Sequence, residues 1–188
     1  MAIKNISFKN LLLFALGFIL VLFIIYAIIS WFNNNSNAMV KCNMKFGLCP
    51  AAKCVPTPYD DSKAFCMCDV VTGTNYSVGN NDCEKIKPYT SKSGQEIIFS
   101  DFSPIITKMG YHMTSCPPKA TNMNCMNKVC SVDPNNPAKA ICICDKLDNQ
   151  GLDWVTFNKK GAKKTCNYQS GASKQGYLSM NAFIKQNP

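Results

Sequence analysis

The segments CVPTPYDDSKAFCMCD (54–69) and CSVDPNNPAKAICICD (130–145) lie over one another at a constant offset of 76 positions. They share a proline before a turn (Pro58, Pro134) and then the run Lys-Ala-apolar-Cys-apolar-Cys-Asp. Working outward, the twelve cysteines of the chain divide into two sets of six: Cys42, Cys49, Cys54, Cys66, Cys68, Cys83, then Cys116, Cys125, Cys130, Cys142, Cys144, Cys166. The offset holds from the second through the fifth cysteine of each set. Sulfur kept in register in this way points to repeated modules stapled by disulfides.

Size supports that reading. The chain has 188 residues, and the repeat divides it into modules too small to bury a secure apolar core. Cross-links supply the missing stability, each worth roughly 2–4 kcal/mol. Disulfides at this density belong to an oxidising compartment.

All twenty basic residues are lysine, against eleven acids, for a formal charge of +9. Arginine is the side chain that forks onto guanine edges and phosphates, so its absence argues against specific nucleic-acid recognition. Loose attraction to an anionic surface or glycan remains an expected property.

Residues 11–31, LLLFALGFILVLFIIYAIISW, carry no charge. As a helix this run spans roughly 30 Å, a bilayer core. The expected anchor therefore covers 11–32, after a cytoplasmic N-terminus at 1–10 that holds Lys4 and Lys9. A cleavable signal has a shorter apolar region, but Ser36-Asn37-Ala38 offers it a cleavage site. Either outcome exports the cysteine-rich part. An Asn-rich stalk is expected at 33–41, then modules at 42–110 and 111–188. Asn34-Asn35-Ser36 and Asn75-Tyr76-Ser77 fit the glycosylation pattern.

Each module should contain a β-hairpin, turning at 58–62 in the first and at 133–137 in the second. On the return strands Ala64, Cys66 and Cys68 share one face, as do Ala140, Cys142 and Cys144. Lys63, Phe65 and Met67 share the opposite face, as do Lys139, Ile141 and Ile143. The repeat continues loosely, matching Phe99-Ser100 with Leu178-Ser179. A strand is expected at Ile97–Phe99 and a short terminal helix at Met180–Lys185.

The spacings Cys-x6-Cys-x4-Cys-x11-Cys-x-Cys-x14-Cys (42–83) and Cys-x8-Cys-x4-Cys-x11-Cys-x-Cys-x21-Cys (116–166) resemble those of epidermal-growth-factor-like modules. That resemblance implies the pairing Cys42–Cys54, Cys49–Cys66, Cys68–Cys83, and Cys116–Cys130, Cys125–Cys142, Cys144–Cys166. The acids that hold calcium in such modules are missing at Met39-Val40-Lys41 and Met113-Thr114-Ser115, so no calcium site is implied.

Chemistry finds little footing. His112 is the lone histidine, and no nucleophile–base–orienter set forms around it. Cys66-x-Cys68 and Cys142-x-Cys144 could chelate a soft metal, but six cysteines per module suit three bridges better. No cofactor, metal or catalytic residue is expected. The interval 145–165 is seven residues longer than its counterpart and joins Trp154 and Phe157 to Lys159, Lys160, Lys163 and Lys164. It is the candidate partner-binding loop.

The expected fold class is thus two tandem, small, disulfide-rich modules based on β-hairpins, after one N-terminal transmembrane α-helix. The expected function is non-enzymatic binding or scaffolding outside the cytoplasm, as an accessory or structural subunit of a membrane, envelope or virion assembly. Expected partners are the bilayer through 11–32 and other proteins or sister subunits. The alternative is a secreted effector or inhibitor released by cleavage near Ala38.

Overall fold

The computed structural model describes residues 16–26, 38–80 and 82–188. Residues 16–26 form helix α1, exposed on every side and made of apolar side chains but for Gly17 and Tyr26. Among the described residues no helix is long and apolar enough to cross a membrane. The flanks of the expected anchor, 11–15 and 27–32, lie outside the described residues, as do 1–10 and 33–37.

Met39–Pro188 is one compact unit. Its first half holds β1 (Met39–Leu48), β2 (Cys54–Thr57), β3 (Asp60–Val78), β4 (Tyr89–Thr90), β5 (Glu96–Asp101) and the single turn α2 (Ile105–Lys108). The second holds β6 (Tyr111–Cys116), β7 (Asn122–Asn124), β8 (Val129–Asp133), β9 (Asn136–Leu147), β10 (Trp154–Lys159), β11 (Gln169–Ser170), β12 (Ala172–Ser173) and α3 (Lys174–Gln186). Met39–Lys41, expected in the stalk, already belong to β1. Apolar residues alternate along β1, and Phe46 and Leu48 find a core to fill.

Both hairpins form, with turns tighter than the sequence suggests: Pro58-Tyr59 and Pro134-Asn135 occupy them, and β3 and β9 start at Asp60 and Asn136. Proline presets the turn dihedral, and Asp133 Oδ1 accepts from Asn135 N at 2.9 Å. The two hairpins shift register at matching places, Pro56/Thr57 and Val132/Asp133. β3 then runs ten residues past Cys68 to pair with all of β1.

The halves share one nine-stranded sheet. β3 pairs antiparallel with β9, and Cys66 stands opposite Cys142, its own repeat equivalent. This defines an internal pseudo-twofold axis through the centre of the ladder. The same relation extends outward. Ser100 N donates to Lys128 O at 2.9 Å, while Ser170 N donates to Ala52 O at 3.0 Å. Ser103 and Ser173 both place their hydroxyls at helix starts. Ser100 therefore corresponds to Ser170, and the expected match to Ser179 is corrected. The segment carrying β4 has no counterpart in the second half, which moves the register.

The pairing implied by the growth-factor resemblance is corrected at all six bridges. The observed bridges are Cys42–Cys83, Cys49–Cys68 and Cys54–Cys66, then Cys116–Cys166, Cys125–Cys144 and Cys130–Cys142. Each set is nested: first to sixth, second to fifth, third to fourth. The ladder decides this. Hairpin register sets Cys54 opposite Cys66 and Cys130 opposite Cys142, with Cα atoms 4.1 Å apart in both pairs. Cys68, two residues on, meets Cys49 because Leu48 pairs with Asp69.

Four of these bridges are the first core. Cys54, Cys66, Cys142 and Cys130 form a row across β2, β3, β9 and β8, with Ala64 and Ala140 leaving room for sulfur. Ile98 from β5 closes over them. A second core gathers Phe46, Tyr76, Phe102, Phe157 and Met180. Here α3 crosses to the first half: Tyr76 Oη donates to Asn187 O at 3.0 Å, and Phe183 meets the Tyr76 ring edge-on. The predicted terminal helix is real but longer, starting at the Ser173 cap. Its apolar stripe of Tyr177, Met180, Phe183 and Ile184 is what docks.

Candidate binding cleft

β6 and β10 pair antiparallel from Cys116↔Trp154 to Tyr111↔Lys159. The chain beyond β10 folds back through 160–168, tied by Lys160 N donating to Gly110 O at 3.0 Å. Gln169, buried, fixes the return: its Nε2 donates to Phe157 O at 2.9 Å and Thr165 Oγ1 donates to its Oε1 at 2.8 Å. Between this segment, the end of β1 and the middle of β3 lies a cleft of about 330 Å³.

Leu48, Ile106 and Phe157 supply apolar surface to the cleft. Lys53, Lys139, Lys159 and Lys163 bring four ammonium groups to it, against one carboxylate, Asp69. Lys139 Nζ lies 2.5 Å from Asp69 Oδ1, so that pair neutralises itself. Among the described residues Lys53, Lys159 and Lys163 form no ion pair. Three unneutralised ammonium groups around a partly apolar hollow favour an anion with some apolar body.

The candidate loop divides into a buried and an exposed part. Trp154 and Phe157 are both buried: the expected role of Trp154 as a partner contact is corrected, while Phe157 still lines the cleft. Trp154 Nε1 donates to Pro117 O at 3.1 Å, and Phe157 packs with Phe102 and Tyr177. A small core claims its large aromatics first. Lys159, Lys160, Lys163 and Lys164 are exposed, and of these Lys159 and Lys163 line the cleft. Sequence reasoning missed Lys53, Asp69 and Lys139, which arrive from two other strand systems and carry no local signal.

His112 stands exposed on β6 opposite Asn158. The sulfurs of Cys49, Cys130 and Cys142 come within metal-chelating reach of one another, but all belong to disulfides. Asn75 is fully buried, and its Nδ2 donates to Asp101 Oδ2 at 2.5 Å. The Asn75-Tyr76-Ser77 triplet is therefore closed to a glycosyltransferase in the folded protein. Burial pushes the Asp101 carboxyl above the usual carboxylate range, partly opposed by the hydrogen bond from Asn75.

No protein-family model matches this chain, and no curated protein or solved structure matches it.

Proposed function

We propose that this chain is a membrane-anchored binding or scaffold subunit displayed outside the cytoplasm, without enzymatic activity of its own. The supporting observation is the core: six disulfides, four of them packed together as the hydrophobic centre of the domain. Such a core assembles where thiols are oxidised. An all-round apolar α1, in a charge-free run that continues on both sides, suits a bilayer and nothing polar. The sulfur-stapled domain presents preformed surfaces at low ordering cost. On this reading residues 11–32 hold the bilayer, protein partners or sister subunits engage the domain, and the lysine-lined cleft takes an anionic group of a glycan, lipid or polymer.

The test is topology and extraction of the full chain. It should resist alkaline carbonate, and protease added from outside should reach the tail up to the domain. Extraction by carbonate alone, or six reduced thiol pairs in the native protein, sinks the reading. The alternative, a released effector, draws on β1 beginning at Met39: cleavage after Ala38 removes nothing from the sheet. A mature mass starting at Met39 decides for it.

A further inference from the structure

Strands β2, β3, β9 and β8 are apolar on both faces. The inner face is sulfur and alanine, whereas the outer face is open at its centre and only its Met67, Asp69 and Lys139 end borders the cleft beside segment 160–168. Phe65, Met67, Ile141 and Ile143 form a two-by-two block at its centre, exposed at 42%, 47%, 42% and 48%. Val55, 67% exposed, extends it beyond Phe65, and Val129, 51% exposed, lies on β8 at the other side. Cys66 and Cys142 are already satisfied by bridges beneath, so nothing in the disulfide core requires this outer face to be apolar. A solvated sheet face normally alternates with polar residues here.

The charges around the block follow a pattern. At one end Lys63 stands opposite Asp145 across the ladder, and at the other Asp69 stands opposite Lys139. Signs therefore alternate around the four corners. Consider a second copy laid face to face about a twofold axis parallel to the strands. Each residue of β3 then meets the residue that pairs with it on β9: Lys63 meets Asp145, Asp69 meets Lys139, Phe65 meets Ile143, and Met67 meets Ile141. Every corner charge meets its opposite, and the apolar block is covered by its own copy. Few surfaces are self-complementary in both respects.

We propose that this outer face is a self-association surface and that its occupant is a second copy of the chain, joined by this face-to-face twofold. With the internal pseudo-twofold, the dimer has approximate 222 symmetry in its four half-units. Strand spacing and rise give a footprint of roughly 400 Å² per copy. That is at the low end of specific interfaces, so the dimer is weak and reversible. Asp145 also faces Lys128, 2.5 Å away, which remains beside it in either state.

The test is a charge swap in the full chain, held in detergent and followed by sedimentation across a concentration series. Lys63→Asp and Asp145→Lys are prepared separately, with six bridges confirmed by mass. Each alone sets like charges face to face, and its dimer constant should weaken by about tenfold or more. Mixed in equal amounts they should restore wild-type association, because each copy then meets its complement. Met67→Glu, at an exposed site, should abolish the dimer without lowering the melting temperature. A wild-type chain that stays monomeric throughout, a dimer indifferent to all three substitutions, or a mixture no better than its parts overturns the proposal. Association through α1 alone gives that indifference.

Discussion

Cys66 lies directly opposite Cys142 across the β3–β9 ladder, and each is the other's counterpart in the repeat. An antiparallel ladder that pairs a residue with its own copy has a local twofold axis at that pair. The two hairpins therefore share a core rather than filling two separate ones. The regions 42–110 and 111–188 are halves of a single unit, and α3 of the second half seals the Tyr76 end of the first.

Reduction should proceed in two stages. Cys83 and Cys166 are partly exposed, whereas Cys49, Cys54, Cys66, Cys68 and their counterparts are buried. Under limiting reductant, alkylation and mass mapping should find Cys42–Cys83 and Cys116–Cys166 opened first. Removing a core bridge by a Cys54→Ala/Cys66→Ala pair should cost about 2–4 kcal/mol in denaturant unfolding. Early labelling of Cys66 or Cys142 would contradict the nested, buried arrangement.

Stability should fall with pH through Asp101. Its folded carboxyl titrates above the ordinary range because it is buried. Between the unfolded and folded values the native state holds the extra proton, so stability is full below the unfolded value. It declines as pH rises through the folded value, then levels. Asp101→Asn should flatten that decline. Its amide can also serve Asn75 Oδ1, which has no partner among the described residues, adding about 1 kcal/mol at neutral pH. Thermal melts of both proteins from pH 4 to 8 read the difference.

Gly171 sits against Trp154. A Cβ there would lie 2.4 Å from Val155 O and 2.5 Å from the indole ring. Gly171→Ala must push β12 away from β10, and chemical denaturation should show a loss of about 1–3 kcal/mol. Trp154→Ala empties the same place and should cost about 3–5 kcal/mol.

The cleft can be separated from the bulk charge of its loop. Lys159→Glu/Lys163→Glu should weaken retention on a polyanion such as heparin far more than Lys160→Glu/Lys164→Glu, whose lysines do not line the hollow. Both pairs change net charge equally, so elution at the same salt concentration would show that only overall charge matters. Melting temperatures should stay near wild type, since all four side chains are exposed.

Local features were open to reading because they depend on neighbours in the chain. The Pro58 and Pro134 turns, the alternation of Ala64-Cys66-Cys68 against Phe65-Met67, and the terminal helix all rest on dihedral preference and period. The cysteine face of that alternation builds the core. Its other half, Phe65, Met67, Ile141 and Ile143, already spelled a sheet apolar on both sides. What spacing left open was which cysteines meet. Fifteen pairings exist for six cysteines; hairpin register, with Cys54 opposite Cys66, leaves three, and the β1–β3 register, with Leu48 opposite Asp69, brings Cys49 to Cys68 and selects one.

By itself the sequence determined the repeat, the hairpins, the apolar N-terminal run and the cysteine content, because these are matters of composition and period. Tertiary structure alone decided that the copies pair through Cys66 and Cys142. It also decided that Trp154 and Phe157 go inward, and that Lys53, Lys139, Lys159 and Lys163 converge. Each of these depends on contacts between segments far apart in the chain, where burial of scarce aromatics and the register of a shared sheet outweigh any local preference.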